Sequence, residues 1–313
     1  MNGQLSAYLF PGQGSQYVGM GRLLAETFPV AGMTFDQADN ALGIDLTALC
    51  FEGPAEVLND TFNAQPALVA TSIAALRALQ NHWDSSPPAY VAGHSLGEFS
   101  ALIAAGALSF EDGIRLVRER GRLMKEAGDQ NPGGMVALLG LQIATVKQLC
   151  DEASAATGEY VGVANDNCPG QVVISGTLAA LQEAVSRAQS AGAKRVVQLA
   201  VSIASHSPLM ADAAEEFRQA LEGVALRTPL IPVVVNVEAR PLNDPQEIRQ
   251  ALIHQLTSPV RWTESVQWMI DHDTKRFVEV GPQQVLTGLM KRIDRSAERL
   301  SVDQVLGLDT SAQ

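Results

Sequence analysis

The stretch Tyr90-Val-Ala-Gly-His-Ser-Leu-Gly-Glu98 consists of a short apolar run, a turn with two glycines and the beginning of a helix. Its turn matches the pattern Gly-x-Ser-x-Gly, in which a serine occupies a strained bend between a strand and a helix. The residues two before and two after the serine must be small, and Gly93 and Gly97 meet that requirement. The stretch therefore predicts an α/β fold in which Ser95 is a nucleophile at the end of a sheet strand, beside the backbone N–H of Leu96 at a helix N-terminus.

Residues 134–202 follow a different pattern from the rest of the chain. Their order of strand, helix, strand, strand, helix and strand is that of a ferredoxin-like subdomain. The predicted elements are strands at 135–139, 160–164, 171–175 and 195–201, and helices at 143–154 and 178–190. We therefore expect an α/β, hydrolase-like core domain with a parallel sheet (residues 1–130 and 203–313), a ferredoxin-like subdomain inserted at 131–202, and a hinge at 128–134.

The composition is that of a globular protein. Of 313 residues, 46% are hydrophobic and 18% are charged, and a formal net charge of −12 disfavours non-specific contact with nucleic acid or anionic membranes. The three cysteines (Cys50, Cys150 and Cys168) show no CxxC spacing, which argues for a reducing compartment and against disulfides or structural zinc. Since no segment reaches the roughly 18 apolar residues of a membrane helix, we expect a cytoplasmic protein without a membrane span or a metal site.

The glycine-rich loop Phe10-Pro-Gly-Gln-Gly-Ser-Gln16 follows the first predicted strand. Gly12 and Gly14 begin a dinucleotide fingerprint, but the third glycine's place holds Tyr17, so we reject a nicotinamide cofactor and expect no cofactor at all. The loop instead offers close backbone approach and amide donors. It therefore predicts one wall of an oxyanion hole.

A serine nucleophile needs a base, and the chain has five histidines. His94 lies inside the turn itself, where we expect it to support packing, and His254 falls on a predicted helix at 244–256. His206 lies between a predicted strand and a predicted helix, a place where α/β proteins put catalytic side chains. Its position after the serine also fits the chain order of hydrolases, so we predict His206 as the base.

The group that orients the histidine is not evident from the residues. No acidic side chain shortly before His206 lies in an obvious loop after a strand. Either a distant carboxylate or a backbone or side-chain carbonyl could serve, and the pattern leaves this open.

Arg120 lies on a predicted amphipathic helix at 110–127. Its basic neighbours, which we expect to form a solvated face, are Arg115, Arg118, Arg122 and Lys125. Arg120 itself falls near the apolar residues Leu116, Val117 and Leu123, so it could point inward and bind a carboxylate through two parallel hydrogen bonds.

Taken together, seven motifs resemble one family, the malonyl-CoA:acyl-carrier-protein transacylases of fatty-acid synthesis and the free-standing acyltransferases of polyketide synthesis. The motifs are residues 10–16, 93–98, 120–124, 165–176, 205–206, 255–262 and 280–282, and the likeness runs from about residue 5 to 295. The family's architecture includes the inserted ferredoxin-like subdomain.

The resemblance implies a malonyl transfer in two half-reactions through an acyl-enzyme on Ser95, with His206 as the base. It also implies that Arg120 pairs with the malonyl carboxylate and that the amides of Gln13 and Leu96 form the oxyanion hole. Gln255 matches the residue whose main-chain carbonyl orients the histidine. The implied partners are malonyl-CoA and a phosphopantetheinylated acyl carrier protein, and we expect a monomer.

Three alternatives stay open at this point. Ser205 occupies a position that influences acyl selection in modular synthases, so methylmalonyl-CoA is a second candidate substrate. An acyl hydrolase that clears acyl-carrier proteins is another reading, although such an enzyme needs no arginine for a carboxylate. A non-catalytic carrier-docking module would not need Ser95, His206 and Arg120 together.

Overall fold

The computed structural model describes residues 4–83 and 87–308. The predicted outer limits of the core domain, at residues 1 and 313, lie outside these ranges. The strands of the described residues are β1 (Leu5–Phe10), β2 (Tyr90–Gly93), β3 (Gly133–Leu139), β4 (Val161–Cys168), β5 (Gln171–Thr177), β6 (Arg195–Gln198), β7 (Val233–Val234), β8 (Pro241–Leu242), β9 (Thr274–Glu279) and β10 (Glu298–Ser301).

Helices cover most of the remaining sequence. They are α1 (Arg22–Thr27), α2 (Pro29–Leu42), α3 (Leu46–Glu52), α4 (Ala55–Leu58), α5 (Thr61–His82), α6 (Gly97–Ala104), α7 (Phe110–Gln130), α8 (Ile143–Thr157), α9 (Leu178–Ser190), α10 (Ala211–Glu222), α11 (Pro245–Gln255), α12 (Trp262–Asp271), α13 (Val285–Ile293) and α14 (Val302–Leu306), with a short 3₁₀ helix at Pro208–Met210. None of the helices in the described ranges is both long and apolar enough to cross a bilayer.

The larger sheet has the strand order β10-β9-β1-β2-β7-β8. Its strands pair in parallel except for the short edge strand β8, which is antiparallel to β7. Helices separate the parallel strands along the chain, as such crossovers require. The predicted α/β class with a parallel-sheet core is confirmed.

The smaller sheet has the order β4-β5-β3-β6 and is antiparallel throughout. Helices α8 and α9 connect its strands in the predicted β-α-β-β-α-β order, and their apolar faces pack on the sheet in a separate core. This confirms a second, ferredoxin-like layer arrangement. The residue limits proposed for the subdomain, 131–202, stay a prediction.

The predicted hinge at 128–134 is wrong. Helix α7 continues to Gln130 and strand β3 begins at Gly133, so only two residues of that stretch are irregular. A Cβ on Gly128 would lie 2.8 Å from the Cγ1 atom of Ile203. Gly128 therefore permits close packing of α7 against Ile203.

Strand β4 joins the two sheets. Asp166 N–H donates to Val260 O (2.9 Å) and Val260 N–H donates to Ala164 O (2.8 Å), so β4 pairs with a segment of the larger unit beyond its own sheet. The Nε2 atom of His94 lies 2.7 Å from the Oδ1 atom of Asn167, which is near the end of the same strand. These contacts fix the smaller sheet over the turn that carries Ser95.

Candidate active site

The turn around Ser95 has the geometry of a nucleophile elbow. Strand β2 ends at Gly93, helix α6 begins at Gly97, and Ser95 has a φ of 49°, in the left-handed region. A Cβ on Gly93 would overlap the backbone of Gly97, and a Cβ on Gly97 would overlap the carbonyl of Phe10. Only glycine fits at both positions, so the sequence pattern reports a steric requirement of this bend.

Ser95, His206 and Gln255 form a hydrogen-bonded chain. Ser95 Oγ lies 2.8 Å from His206 Nε2, and His206 Nδ1 lies 2.8 Å from the main-chain oxygen of Gln255. A carbonyl oxygen can only accept a hydrogen bond, so Nδ1 carries the proton and Nε2 is free to accept from the serine hydroxyl. The structure therefore places a main-chain carbonyl where the sequence left the orienting group open.

The environment of His206 keeps the imidazole neutral. Burial, together with the positive charge of Arg120, lowers the pKa of His206 to about 3, against the opposing effect of the hydrogen bond to Gln255. A neutral imidazole at physiological pH is the form that can accept the serine proton.

His206 follows a strand, as predicted, but that strand does not belong to the parallel sheet. The strand before it, β6, belongs to the antiparallel sheet and ends at Gln198, not at residue 201. The rule for the carboxyl ends of parallel strands therefore does not account for His206. The chain that returns from the smaller sheet to the 3₁₀ helix at Pro208–Met210 carries it to the elbow.

Arg120 lies at the bottom of the site, with 1% of its surface exposed. Its Nη1 donates to Gln65 Oε1 (2.9 Å), and its Nη2 donates to Gln255 Oε1 (3.1 Å) and to Ser95 Oγ (3.3 Å). Burial lowers the pKa of Arg120 to about 10, opposed by the nearby carboxylate of Glu98, so the guanidinium stays charged at neutral pH. A fixed buried cation therefore lies directly beside the nucleophile.

The backbone amides of Gln13 and Leu96 border the same space. Leu96 immediately precedes α6, and Gln13 is held in its loop by a hydrogen bond from its side chain Nε2 to Thr61 Oγ1 (3.1 Å). In the described part of the chain, neither backbone N–H donates to a protein acceptor. Two unengaged amides next to a nucleophile are the donors that an oxyanion requires.

These groups surround a cleft of about 390 Å³ between the two sheets. The residues that line it are Gln13, Gly14, Gln16, Asn59, His94, Ser95, Leu96, Arg120, Met124, Met135, Asn165, Leu199, Ala200, Val201, Ser205 and His206. Every residue predicted from the sequence for the site lines the cleft, except that Gln255 lies behind it and contacts His206 and Arg120.

The basic neighbours of Arg120 occupy the opposite, outer side of α7. Arg115 pairs with Asp112, Arg122 with Glu119 and Glu126, and Lys125 with Asp60, while Arg118 lies 4.1 Å from the ring centre of Phe62. The expected basic face is therefore largely neutralised by carboxylates. No group of three or more potential metal ligands occurs within residues 4–83 and 87–308.

Three buried polar residues at the site were not predicted as functional. Gln65 holds Arg120, Asn236 contacts the elbow, and Glu98 contacts Asn236. Asn236 is the one polar residue of the run Ile231-Pro-Val-Val-Val-Asn-Val237, a signal that could have been used. Gln65 lies in helix α5, and no motif in the sequence around it marks it as a site residue.

Fold and site are those of an acyltransferase, and the chain belongs to the acyl transferase domain family, whose model matches residues 7–311. Among its relatives, the malonyl CoA-acyl carrier protein transacylase of Bacillus subtilis is 44% identical over 307 residues, which is 98% of this chain and 96% of the relative. The structure of the enzyme of that name from Coxiella burnetii matches with a TM-score of 0.94 and 41% identity, over 97% of this chain and 96% of that one.

A third match concerns a complex. A malonyl-transacylase solved together with its type II polyketide-synthase acyl-carrier protein matches with a TM-score of 0.93 and 42% identity, over 99% of this chain and 100% of that one.

Proposed function

We propose that this acyltransferase moves a malonyl group from malonyl-CoA to the phosphopantetheine thiol of an acyl carrier protein, through an ester on Ser95. The observation that carries the proposal is the buried guanidinium of Arg120, whose Nη2 lies 3.3 Å from Ser95 Oγ. A permanent cation at this distance from the nucleophile suits an acyl group that ends in a carboxylate. The names of the relatives agree with this substrate and partner.

In the first half-reaction, Ser95 Oγ attacks the thioester carbon while its proton passes to His206 Nε2. The negative charge of the tetrahedral intermediate develops on the former carbonyl oxygen, which the amides of Gln13 and Leu96 stabilise. The C–S bond then breaks, and the CoA sulfur takes the proton from Nε2. In the second half-reaction the carrier thiol gives its proton to Nε2 and attacks the ester, the bond from the acyl carbon to Ser95 Oγ breaks, and Oγ takes the proton back from Nε2.

Arg120 gives the reaction its selectivity. Its fork of N–H groups can bind both oxygens of the malonyl carboxylate, which would replace contacts that the guanidinium now makes with Gln65, Gln255 and Ser95. Acetyl-CoA lacks that carboxylate and leaves the buried cation without its partner. The same argument disfavours a hydrolase of simple acyl chains.

Intact-mass spectrometry tests this proposal directly. Incubation with malonyl-CoA is expected to add one malonyl group, with acetyl-CoA and methylmalonyl-CoA as competing substrates, and holo acyl carrier protein is expected to remove it. Ser95→Ala is expected to abolish the adduct, whereas Ser100→Ala, at a serine with 1% exposure on the helix that follows the turn, keeps it. A malonyl adduct on Ser95→Ala would refute the assignment of the nucleophile.

We also propose that the protein acts in the cytoplasm as a monomer. Its three cysteines are buried and unpaired, which suits a reducing compartment. Among residues 4–83 and 87–308, the large exposed apolar side chains lie on separate segments of the chain and do not indicate one apolar interface; they are Leu5, Val18, Met33, Val57, Leu178, Leu230 and Val285. Light scattering coupled to gel filtration measures the mass, and a dimer would contradict the proposal.

A further inference from the structure

The side chain of Asn236 spans the nucleophile elbow. Asn236 is fully buried and follows β7, the strand that pairs in parallel with β2. Its Oδ1 accepts a hydrogen bond from Ser95 N–H (2.6 Å), and its Nδ2 donates to Gly93 O (2.6 Å). One carboxamide thus bonds to the backbone on both sides of His94.

The backbone of Asn236 is held in turn by Glu98. The Oε2 atom of Glu98, a residue in the first turn of α6 with 1% exposure, accepts a hydrogen bond from Asn236 N–H (2.8 Å). Glu98 lies only three residues after Ser95, so the contacts close a ring from the elbow to Asn236 and back to the elbow. A carboxyl group accepts in this way whether or not it is ionised.

We infer that Asn236, held by Glu98, is a positioning residue for acyl transfer, which fixes the left-handed turn of Ser95 and thereby the direction of its Oγ towards His206. A serine with a φ of 49° is strained. The backbone bond from Glu98 N–H to Ser95 O (3.0 Å) closes the turn, and Asn236 adds the contacts that hold Ser95 N–H and Gly93 O. The contact also engages the N–H of Ser95 itself. The amides of Gln13 and Leu96 therefore remain the donors for the oxyanion.

This role needs both a donor and an acceptor at position 236. The variant Asn236→Asp has the same shape and accepts from Ser95 N–H, but its ionised carboxylate faces Gly93 O and repels it. When the introduced carboxyl is protonated, it can donate to Gly93 O and restore the pattern of the amide. The variant is thus expected to be defective at alkaline pH and to recover at acidic pH.

The charged and titratable groups around this position are few. Glu98 of α6 faces the backbone of Asn236, and His206 and Arg120 lie across Ser95. His94 lies between the two backbone groups that Asn236 contacts, and its Nε2 lies 2.7 Å from Asn167 Oδ1. Arg261 donates its backbone N–H to Asn236 O, but its guanidinium turns to Glu264 and Val237 O. All of these groups are present in the wild type as well, so the rates are compared as the ratio of variant to wild type at each pH.

The test uses a fluorophosphonate probe, because its reaction does not depend on malonyl recognition. Ser95 Oγ forms a bond to phosphorus, fluoride leaves, and the serine proton passes to His206. A displacement of the nucleophile by about 1 Å can cost on the order of 100-fold in rate. We expect Asn236→Asp to label about 100-fold more slowly than the wild type at pH 9 and within about tenfold of it at pH 6.

Glu279→Gln serves as the structural control. Glu279 is a second fully buried glutamate, and it caps α13 through Leu286 N–H (2.9 Å) and Thr287 N–H (2.7 Å), neither of which belongs to the elbow. We expect this variant to lower the melting temperature but not the labelling rate of the folded protein.

The inference rests on the proposed function only where it names malonyl transfer as the reaction that Asn236 supports. If the wild type labels with the probe but forms no malonyl ester, the proposed substrate is wrong and the role of Asn236 is still measured. If Asn236→Asp labels at the wild-type rate at pH 9, or shows a loss that is independent of pH, the inference is overturned.

Discussion

The most informative single change is Arg120→Ala. In the proposed complex the guanidinium makes two charge-assisted hydrogen bonds to the malonyl carboxylate, each worth about 1.5–2 kcal/mol. Their loss amounts to about 3–4 kcal/mol, or roughly 100- to 1,000-fold in kcat/KM for malonyl-CoA. Acetyl-CoA has no carboxylate at this place, so its transfer is expected to stay within about tenfold of the wild type or to rise. A rise would follow from the removal of a buried cation to which an acetyl group offers no carboxylate.

The measurement is the burst of acyl-enzyme formation from each labelled CoA ester, normalised to the folded fraction. Normalisation is needed because Arg120→Ala also removes the hydrogen-bond partners of Gln65 and Gln255. Arg120→Lys keeps the charge without the planar fork and is expected to recover part of the malonyl activity. Arg122→Ala removes an arginine that is paired with Glu119 and Glu126 on the outer face of the same helix, and should change neither rate. Equal losses for malonyl and acetyl transfer would show that Arg120 supports the fold or the serine, and not the carboxylate.

Three further predictions concern the base and the carrier. His206→Ala is expected to slow acylation by several orders of magnitude, because the serine hydroxyl is a weak nucleophile without a base, and a loss below about tenfold would point to another base. Burial holds the pKa of His206 at about 3, below its ordinary value of 6.5, so protonation of the histidine should not limit acylation between pH 5 and 8. A fall in the acylation rate below pH 6.5 that is also seen in the variant Glu98→Gln, where Glu98 cannot titrate, would contradict this. The exposed basic residues Lys291, Arg292 and Arg295 make no ion pair within the described ranges, unlike Arg115, Arg122 and Lys125 of α7. Lys291→Glu combined with Arg292→Glu should therefore raise the KM for an acidic carrier protein in a salt-dependent way, and more than Arg118→Glu combined with Arg122→Glu; no difference between the two pairs would refute this surface.

Local patterns predicted most of the fold and the reactive pair. The two glycines around Ser95 are visible in sequence because a steric overlap excludes other residues, and such a requirement leaves a fixed spacing. The local sequence likewise predicted helix α9 at 178–190, as the structure has it. These features depend on neighbours within a few positions, which a single sequence displays.

Contacts between distant segments were not predictable in the same way. Asn236 lies 141 positions from Ser95, and Gln65 lies 55 positions from Arg120. Their side chains meet the site only because β7 pairs with β2 and α5 packs against α7. The carbonyl of Gln255 is a still harder case, since every residue has one and only the fold selects which carbonyl meets the histidine. The resemblance to a family supplied that residue, and the pattern did not.

The choice of a carbonyl in place of a carboxylate bears on the fate of the acyl-enzyme. A carboxylate beside Nδ1 would stabilise the protonated imidazole and raise the pKa of His206, whereas here burial and Arg120 keep that pKa at about 3. The second half-reaction offers this weak base two acceptors to activate, a thiol with a pKa of about 8.5 and water with a pKa of about 15.7. A weak base removes a proton more easily from the thiol than from water, because the thiol has the lower pKa. The preference for the thiol over water is therefore larger with this base than it would be with a stronger one. Ser95 escapes the same penalty because its hydroxyl is already held 2.8 Å from Nε2, which water entering the cleft is not. The arrangement therefore favours transfer to a carrier over hydrolysis.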